Sequence, residues 1–137
     1  MDKVVPLAAV HQVATLGITM SYSEELLWDN INEGWSRMSF KQRKLWSVIK
    51  RMPEEWELKG YGPCWVVALL GQSVIYHNHF EHGFNRSSWS KFGFIDHYQS
   101  LQHGLEESIQ QQLDIIATGY DVSPWTSGPF PGEYPGK

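Results

Sequence analysis

Three histidines, His77, His79 and His82, fall within one short stretch. Side chains at i and i+2 of a strand share a face, so His77 and His79 are expected side by side. His82, just past the strand end, is in reach to complete a three-nitrogen zinc site with one position left for water. Zinc held this way would lower the pKa of its water and open hydrolysis at neutral pH, with Glu81 or Asp96 as base. Against this reading, zinc sites usually draw a ligand from elsewhere in the chain. Each imidazole also needs an acceptor for its second ring nitrogen, and the sequence assigns none. Histidines at a partner surface are the simpler expectation.

Other chemistry is thinner. Cys64 is the only cysteine; it opens an apolar run, where a packed, inert thiol is expected rather than a nucleophile. Asp96 and His97 pair an acid with a base, but neighbours on a strand point to opposite faces, which argues against a dyad. The chain has no glycine-rich phosphate loop, G-x-S-x-G elbow or H-E-x-x-H helix. The segment 81–89, EHGFNRSSW, places a glycine turn, aromatic rings, an amide and an arginine together, and Trp and Arg are enriched where interfaces hold their energy. The expected contact residues are therefore His77, His79, Glu81, His82, Asn85, Arg86 and Trp89, with no cofactor. The competing reading has Phe84 and Trp89 plugging the open face of a sheet.

These residues need a scaffold, and the pattern supplies one. Pro6 followed by Leu7, Val10, His11 and Ala14 suggests a short first helix. Ser21 with Glu24 is a capping-box pair before Leu27, Ile31, Trp35 and Met38, predicting a helix over about 22–36. Ser39 with Gln42 repeats the signal before Leu45, Val48, Ile49 and Met52, and Pro53 is expected to close that helix. The run Cys64 to Leu70 reads as a strand covered on both faces, Gly71-Gln72 as a two-residue turn, and Ser73 to His79 as its antiparallel return. An irregular loop then leads to a short strand near 92–95, and Ser100 is expected to cap a last helix carrying Leu101, Leu105, Ile109, Leu113 and Ile116, ending near Gly119. Residues 121–137 hold four prolines and three glycines and read as a tail behind a single domain, 1–120. The fold class expected is α+β, a small antiparallel sheet centred on one hairpin and packed by three to four helices.

Composition bounds the function. A 137-residue chain that is 42% hydrophobic can bury a core, and a net charge of −4 argues against a globally basic nucleic-acid binder. Yet residues 37–51 hold Arg37, Lys41, Arg43, Lys44, Lys50 and Arg51 and no acid, while Glu54, Glu55 and Glu57 follow. That run reads as a solvated helix face, with binding of an acidic ligand or nucleic acid as its functional alternative. No apolar run is long enough to span a membrane and no secretory leader is recognisable, so a cytoplasmic location is expected. Seven Trp, six Tyr and six Phe exceed what so small an interior can hide. Trp35, Trp46 and Trp65 are assigned to the core, Trp28 and Trp56 stay open, and Trp89 and Trp125 are assigned to the surface.

The residues Leu45-Trp46, Met52-Pro53-Glu54-Glu55-Trp56, Cys64-Trp65-Val66-Val67-Ala68, Gly71, Val74-Ile75-Tyr76-His77-Asn78 and Glu81 through Gly83-Phe84-Asn85-Arg86-Ser87 resemble a group of small bacterial proteins with a P-E-x-W, W-V-V-A, G-F-N-x-S pattern. The likeness spans about residues 44–113. It is similar to immunity proteins encoded beside bacterial toxins, and implies a non-enzymatic partner that binds a cognate toxin and blocks it. Where that pattern has tyrosine, aspartate and an acid, this chain has His77, His79 and His82, so the histidines are not a motif of the group. Gly83 and Asn85 match, and are expected to serve a backbone angle and a turn. The alternatives kept open are a small metal-dependent hydrolase built on the three histidines and a binder of acidic ligands through residues 37–51.

Overall fold

The computed structural model describes residues 22–119. The first helix expected near Leu7, the cap at Ser21 and the tail 121–137 with Trp125 lie outside them. Within them the fold is α+β: three helices pack on a five-stranded, mostly antiparallel sheet. None of the described helices is long and apolar enough to cross a membrane.

Helix α1, Glu24–Ser36, is capped by Ser23, whose hydroxyl accepts the N–H of Leu26 at 3.3 Å. Glu24 and Glu25 in its first turn complement the positive end of the helix. Helix α2, Phe40–Ile49, carries the expected capping box: Gln42 N–H donates to the Ser39 hydroxyl at 3.2 Å, and the Gln42 amide oxygen accepts the Ser39 N–H at 2.8 Å. It stops short of Met52. Proline at 53 bars the helical conformation from the residue before it and would clash with the carbonyl of Ile49. Lys50 turns extended and strand β1, Lys50–Leu58, begins. Pro53 is tolerated there because the register of β1 against strand β2, Gly62–Leu70, is broken between Lys50 and Glu54, and strand β5, Phe94–Ile95, reaches only Glu57 and Leu58 on its other side. The basic run is thus divided among the end of α1, helix α2 and the start of β1. Val48 and Met52, expected to be buried, are exposed.

The hairpin forms as expected. Strands β2, Gly62–Leu70, and β3, Ser73–Asn78, pair antiparallel with Leu70 opposite Ser73. Only the first turn residue, Gly71, takes a positive φ, of 58°, the geometry that a Gly-X turn provides. With β4 at Gly83–Ser88, the sheet order is β4-β3-β2-β1-β5, and β5, Phe94–Ile95, runs parallel to β1.

Strand β4, Gly83–Ser88, replaces most of the expected loop. Its sequence, GFNRSS, carries no apolar alternation, so nothing local marks it as a strand. Pairing along its whole length with β3 makes it one. As an edge strand it must satisfy its outward backbone groups some other way. Residues 96–103 do this: Phe84 N–H donates to the carbonyl of His103 at 2.8 Å, Arg86 N–H to the Gln99 amide oxygen at 3.2 Å, and the Ser88 carbonyl accepts the Asp96 N–H at 3.2 Å, while His97 N–H donates to the Ser87 hydroxyl at 2.9 Å. Backbone committed this way cannot enter a helix, which is why helix α3, Leu105–Thr118, starts after Gly104 rather than at Ser100. The Glu107 carboxylate accepts the Gly104 N–H at 2.7 Å, and Gly119 ends the helix in the left-handed conformation.

The sheet is covered on both sides. On one, Leu27, Ile31, Met38, Trp46, Ile49, Leu105 and Ile109 from the helices meet Val67, Ala68, Ile75 and Phe84. On the other, Trp56, Leu58, Cys64, Val66, Val74, Tyr76 and Ile95 form a second cluster with Trp89 and Tyr98 against it. Of the indoles assigned to the interior, Trp46 is buried and Trp65 half-buried, but Trp35 is 44% exposed. Trp56, left open, is buried.

Gly83 shows how tightly the strap over β4 lies. Its φ is not positive, so no special backbone angle explains it, contrary to expectation. A Cβ there would stand 2.8 Å from both the Gln102 Cα and the His103 nitrogen. Gly83→Ala is expected to displace residues 102–103 and lower stability by about 1–3 kcal/mol, read as a shift in the urea unfolding midpoint with unchanged m-value.

Candidate partner-binding surface

The expected contact residues divide sharply by burial. His77, Asn85 and Arg86 lie in the interior of strands β3 and β4, Arg86 at 2% exposure. They do not offer contact area of their own, so this part of the expectation is corrected. Alternation along β3 and β4 left them no exposed side, because the helices cover one face and residues 89–104 the other. The Arg86 Nε donates to the Gln111 amide of α3 at 3.3 Å, making the guanidinium a tie between sheet and helix. Asn85 stabilises no turn: it is paired with Tyr76 inside the sheet, and neither atom of its buried amide meets a hydrogen-bonding partner among the described residues.

Trp89 also does structural duty. Its ring meets Trp56 edge-on at 5.5 Å, its N–H donates to the carbonyl of Gln72 at 3.0 Å and its indole N–H to that of Gly71 at 3.0 Å. It plugs the second face of the sheet beside the hairpin turn, as the competing reading held. Phe84 is buried on the opposite, helical face.

His79, Glu81 and His82 remain accessible, and the structure brings other rings to them. The β1–β2 and β3–β4 turns lie at the same end of the sheet, as antiparallel order requires. Tyr61 in the first turn and Phe80 in the second face each other at 5.9 Å. Tyr61 stacks on Tyr98 at 4.2 Å, and His79 lies 4.3 Å from Phe80 and 5.8 Å from Tyr22. His77 continues the file inward between Tyr22 at 4.5 Å and Phe84 at 5.0 Å. The result is a row of rings that begins in the core and surfaces at Phe80 and Tyr61, 47% and 49% exposed. His82 sits beside it with a φ of 60°, the left-handed position of its turn. Sequence reasoning missed Tyr61, Phe80 and Tyr98, since only sheet topology joins three separate segments; the turn glycines around Tyr61 were the available signal.

Burial shifts several titratable groups around the sheet. Burial, with His79 and His82 adding to it, lowers His77 to about 4, so its imidazole is neutral at pH 7. His79 is lowered by burial and by His82. Burial pushes the Cys64 thiol up to about 12, with Glu57 and Glu55 reinforcing it, which fits a packed thiol and not a nucleophile. The Tyr98 hydroxyl donates a short hydrogen bond to Glu81 and is itself raised to about 12, chiefly by desolvation. Asp96 accepts from Ser88 at 3.0 Å and from Ser90 at 3.4 Å. Among the described residues no group of three His, Cys, Asp or Glu side chains is placed to hold a metal ion; in particular His77, His79 and His82 do not converge, since His77 turns into the ring file and His82 outward.

The neutral His77 links stability to pH. Unfolded, its imidazole has the ordinary value of 6.5, so between about pH 6.5 and pH 4 the unfolded chain binds a proton that the native chain does not. Stability is complete above the unfolded value and falls with pH through that window, by up to about 3 kcal/mol from this group. His77→Phe keeps a ring between Tyr22 and Phe84 and is expected to flatten that part of the profile; an unchanged acid slope in urea titrations at pH 4 to 7 would count against the assignment.

Scanned against family models, curated proteins and solved structures, the chain matches none, so the reading of this surface rests on its own residues.

Proposed function

We propose that the protein is a non-catalytic recognition module of the immunity type, which binds a cognate bacterial toxin in the cytoplasm and blocks its active site or substrate path. The observation that carries the reading is the aromatic end of the sheet. Tyr61 and Phe80 project from two turns, backed by Tyr98 and His79 and flanked by Glu81 and His82. Large rings held by neighbours lose little freedom on binding, and polar groups around them supply specificity; aromatic anchors with such a margin are the usual centre of a protein interface. The rest of the contact must extend over neighbouring surface, since a stable complex buries about 800 Å² on each partner.

Recognition is favoured over hydrolysis by the state of the groups that hydrolysis would use. The imidazole of His77 is locked among rings, Glu81 is engaged by Tyr98 and the thiol of Cys64 is buried. The His79, Glu81 and His82 contacts expected from sequence are retained at the margin, and Tyr61 and Phe80 replace Trp89 at the centre.

The test is binding to the product of the adjacent gene and rescue of cells that express it. Tyr61→Ala with Phe80→Ala is expected to weaken binding at least tenfold and abolish rescue, with circular dichroism and unfolding midpoint near those of the parent. If the parent chain neither binds nor rescues, the immunity reading fails. If it does both and the double variant is unaffected, the surface is elsewhere.

A further inference from the structure

A groove of about 510 Å³ opens on the helical side of the molecule, at the end of β1 opposite to Tyr61. Trp28 and Trp35 of α1 form its walls, and the buried Trp46 and Ile31 its floor. The start of β1 forms the rim, with Lys50, Arg51 and Met52, the last 75% exposed. Pro53 ends α2 early, so Lys50, Arg51 and Met52 pass into the start of β1, and all three line this rim. The indole of Trp35 is fixed in place by Arg43, whose guanidinium lies 3.8 Å from the ring centroid and donates to the Trp35 carbonyl at 3.2 Å. Such a volume falls in the range of ligand-binding clefts; Trp46 and Trp28 also pack into the helical core, and Trp35 is the indole most open to the groove.

Charge says what fits. The chain as a whole is acidic, yet its cations are concentrated in residues 37–51. Arg37 is consumed by Glu33 at 3.2 Å and Glu106 at 3.0 Å. Lys50 and Arg51 are exposed and make no ion pair among the described residues. An apolar floor with two cations at its rim that are unpaired among the described residues matches a chain that is apolar on one side and anionic on the other. A single nucleic-acid strand would instead call for cations spaced along the whole groove to follow its phosphates. We propose that this groove docks an acidic peptide segment of a partner protein, its aromatic or aliphatic anchor seated among Trp28, Trp35 and Trp46 and its carboxylates facing Lys50 and Arg51. The site is separate from the aromatic end of the sheet and does not depend on the immunity reading. It places the acidic-ligand alternative in a cleft between α1 and the start of β1 rather than on a helix face.

The test selects binders for the full-length protein from a random library of 12-residue peptides displayed on phage. The expected consensus sets Asp or Glu next to Trp, Phe or Leu. A synthetic peptide of that consensus should change the tryptophan fluorescence of the protein and lose affinity as NaCl is raised. Trp35→Ala should weaken it at least tenfold, and Lys50→Glu with Arg51→Glu at least tenfold, while Tyr61→Ala with Phe80→Ala leaves it unchanged. All these side chains are at the surface, and the charge variant serves if Trp35→Ala unfolds. An empty selection, a consensus without acids, or binding indifferent to the Lys50 and Arg51 reversal overturns the proposal. So does a 12-nucleotide oligothymidine that binds through Lys50 and Arg51 when acidic peptides do not.

Discussion

The outer edge of β4 has to be hydrogen-bonded by something other than a strand, and much of the molecule follows from how this is done. Residues 96–103 run beside it as a strap and lend a carbonyl, an amide and backbone N–H groups where a sixth strand would have supplied a ladder. The strap is anchored in turn by Tyr76, whose hydroxyl donates to the His97 carbonyl at 3.1 Å and accepts the Gln99 N–H at 2.9 Å. Asn78 adds a bond to the Gln99 carbonyl at 2.8 Å. Every one of these groups is wholly or partly buried, so leaving any unmatched costs more than the bond itself contributes. Because the strap is fixed, Tyr98 arrives beside Tyr61, α3 starts where it does, and the second face of the sheet is closed without a helix.

What was legible in the sequence was local. The Gly71-Gln72 hairpin, the Ser39–Gln42 box and the glycine stop at 119 are each specified by a few adjacent residues, and each is present. What was not legible depended on partners distant in sequence. Strand β4 is polar because Arg86 and Ser87 are held by hydrogen bonds inside the fold rather than by water outside it, so alternation in hydrophobicity never appears. Strand β1 was hidden by residues that favour helix on one side of Pro53 and by the proline itself. The same blindness governs the site: His77, Asn85 and Arg86 looked like surface because they are polar, while Tyr61 and Phe80, one in each turn, had no visible reason to be neighbours.

The aromatic surplus is divided by the sheet. One group of rings cements the two faces, with Trp46 beneath the helices and Trp56 against Trp89 and Phe92 on the other side. The other lies at opposite ends of β1, Tyr61 with Phe80 and Tyr98 at one, and Trp28 with Trp35 at the other. A single strand thereby separates a patch flanked by Glu81 and His82 from a cleft edged by lysine and arginine, and the two ends present different chemistry to the surroundings.

Cys64 lies deep in the cluster closed by the strap, 1% exposed and with its thiol strongly disfavoured as thiolate. It is also the chain's only sulfhydryl. At that burial a reagent reaches it only when the structure around it opens, so the rate at which a thiol dye attaches to the unmodified protein becomes a stopwatch for that opening. The molecule carries its own reporter for the half of its interior that no helix guards.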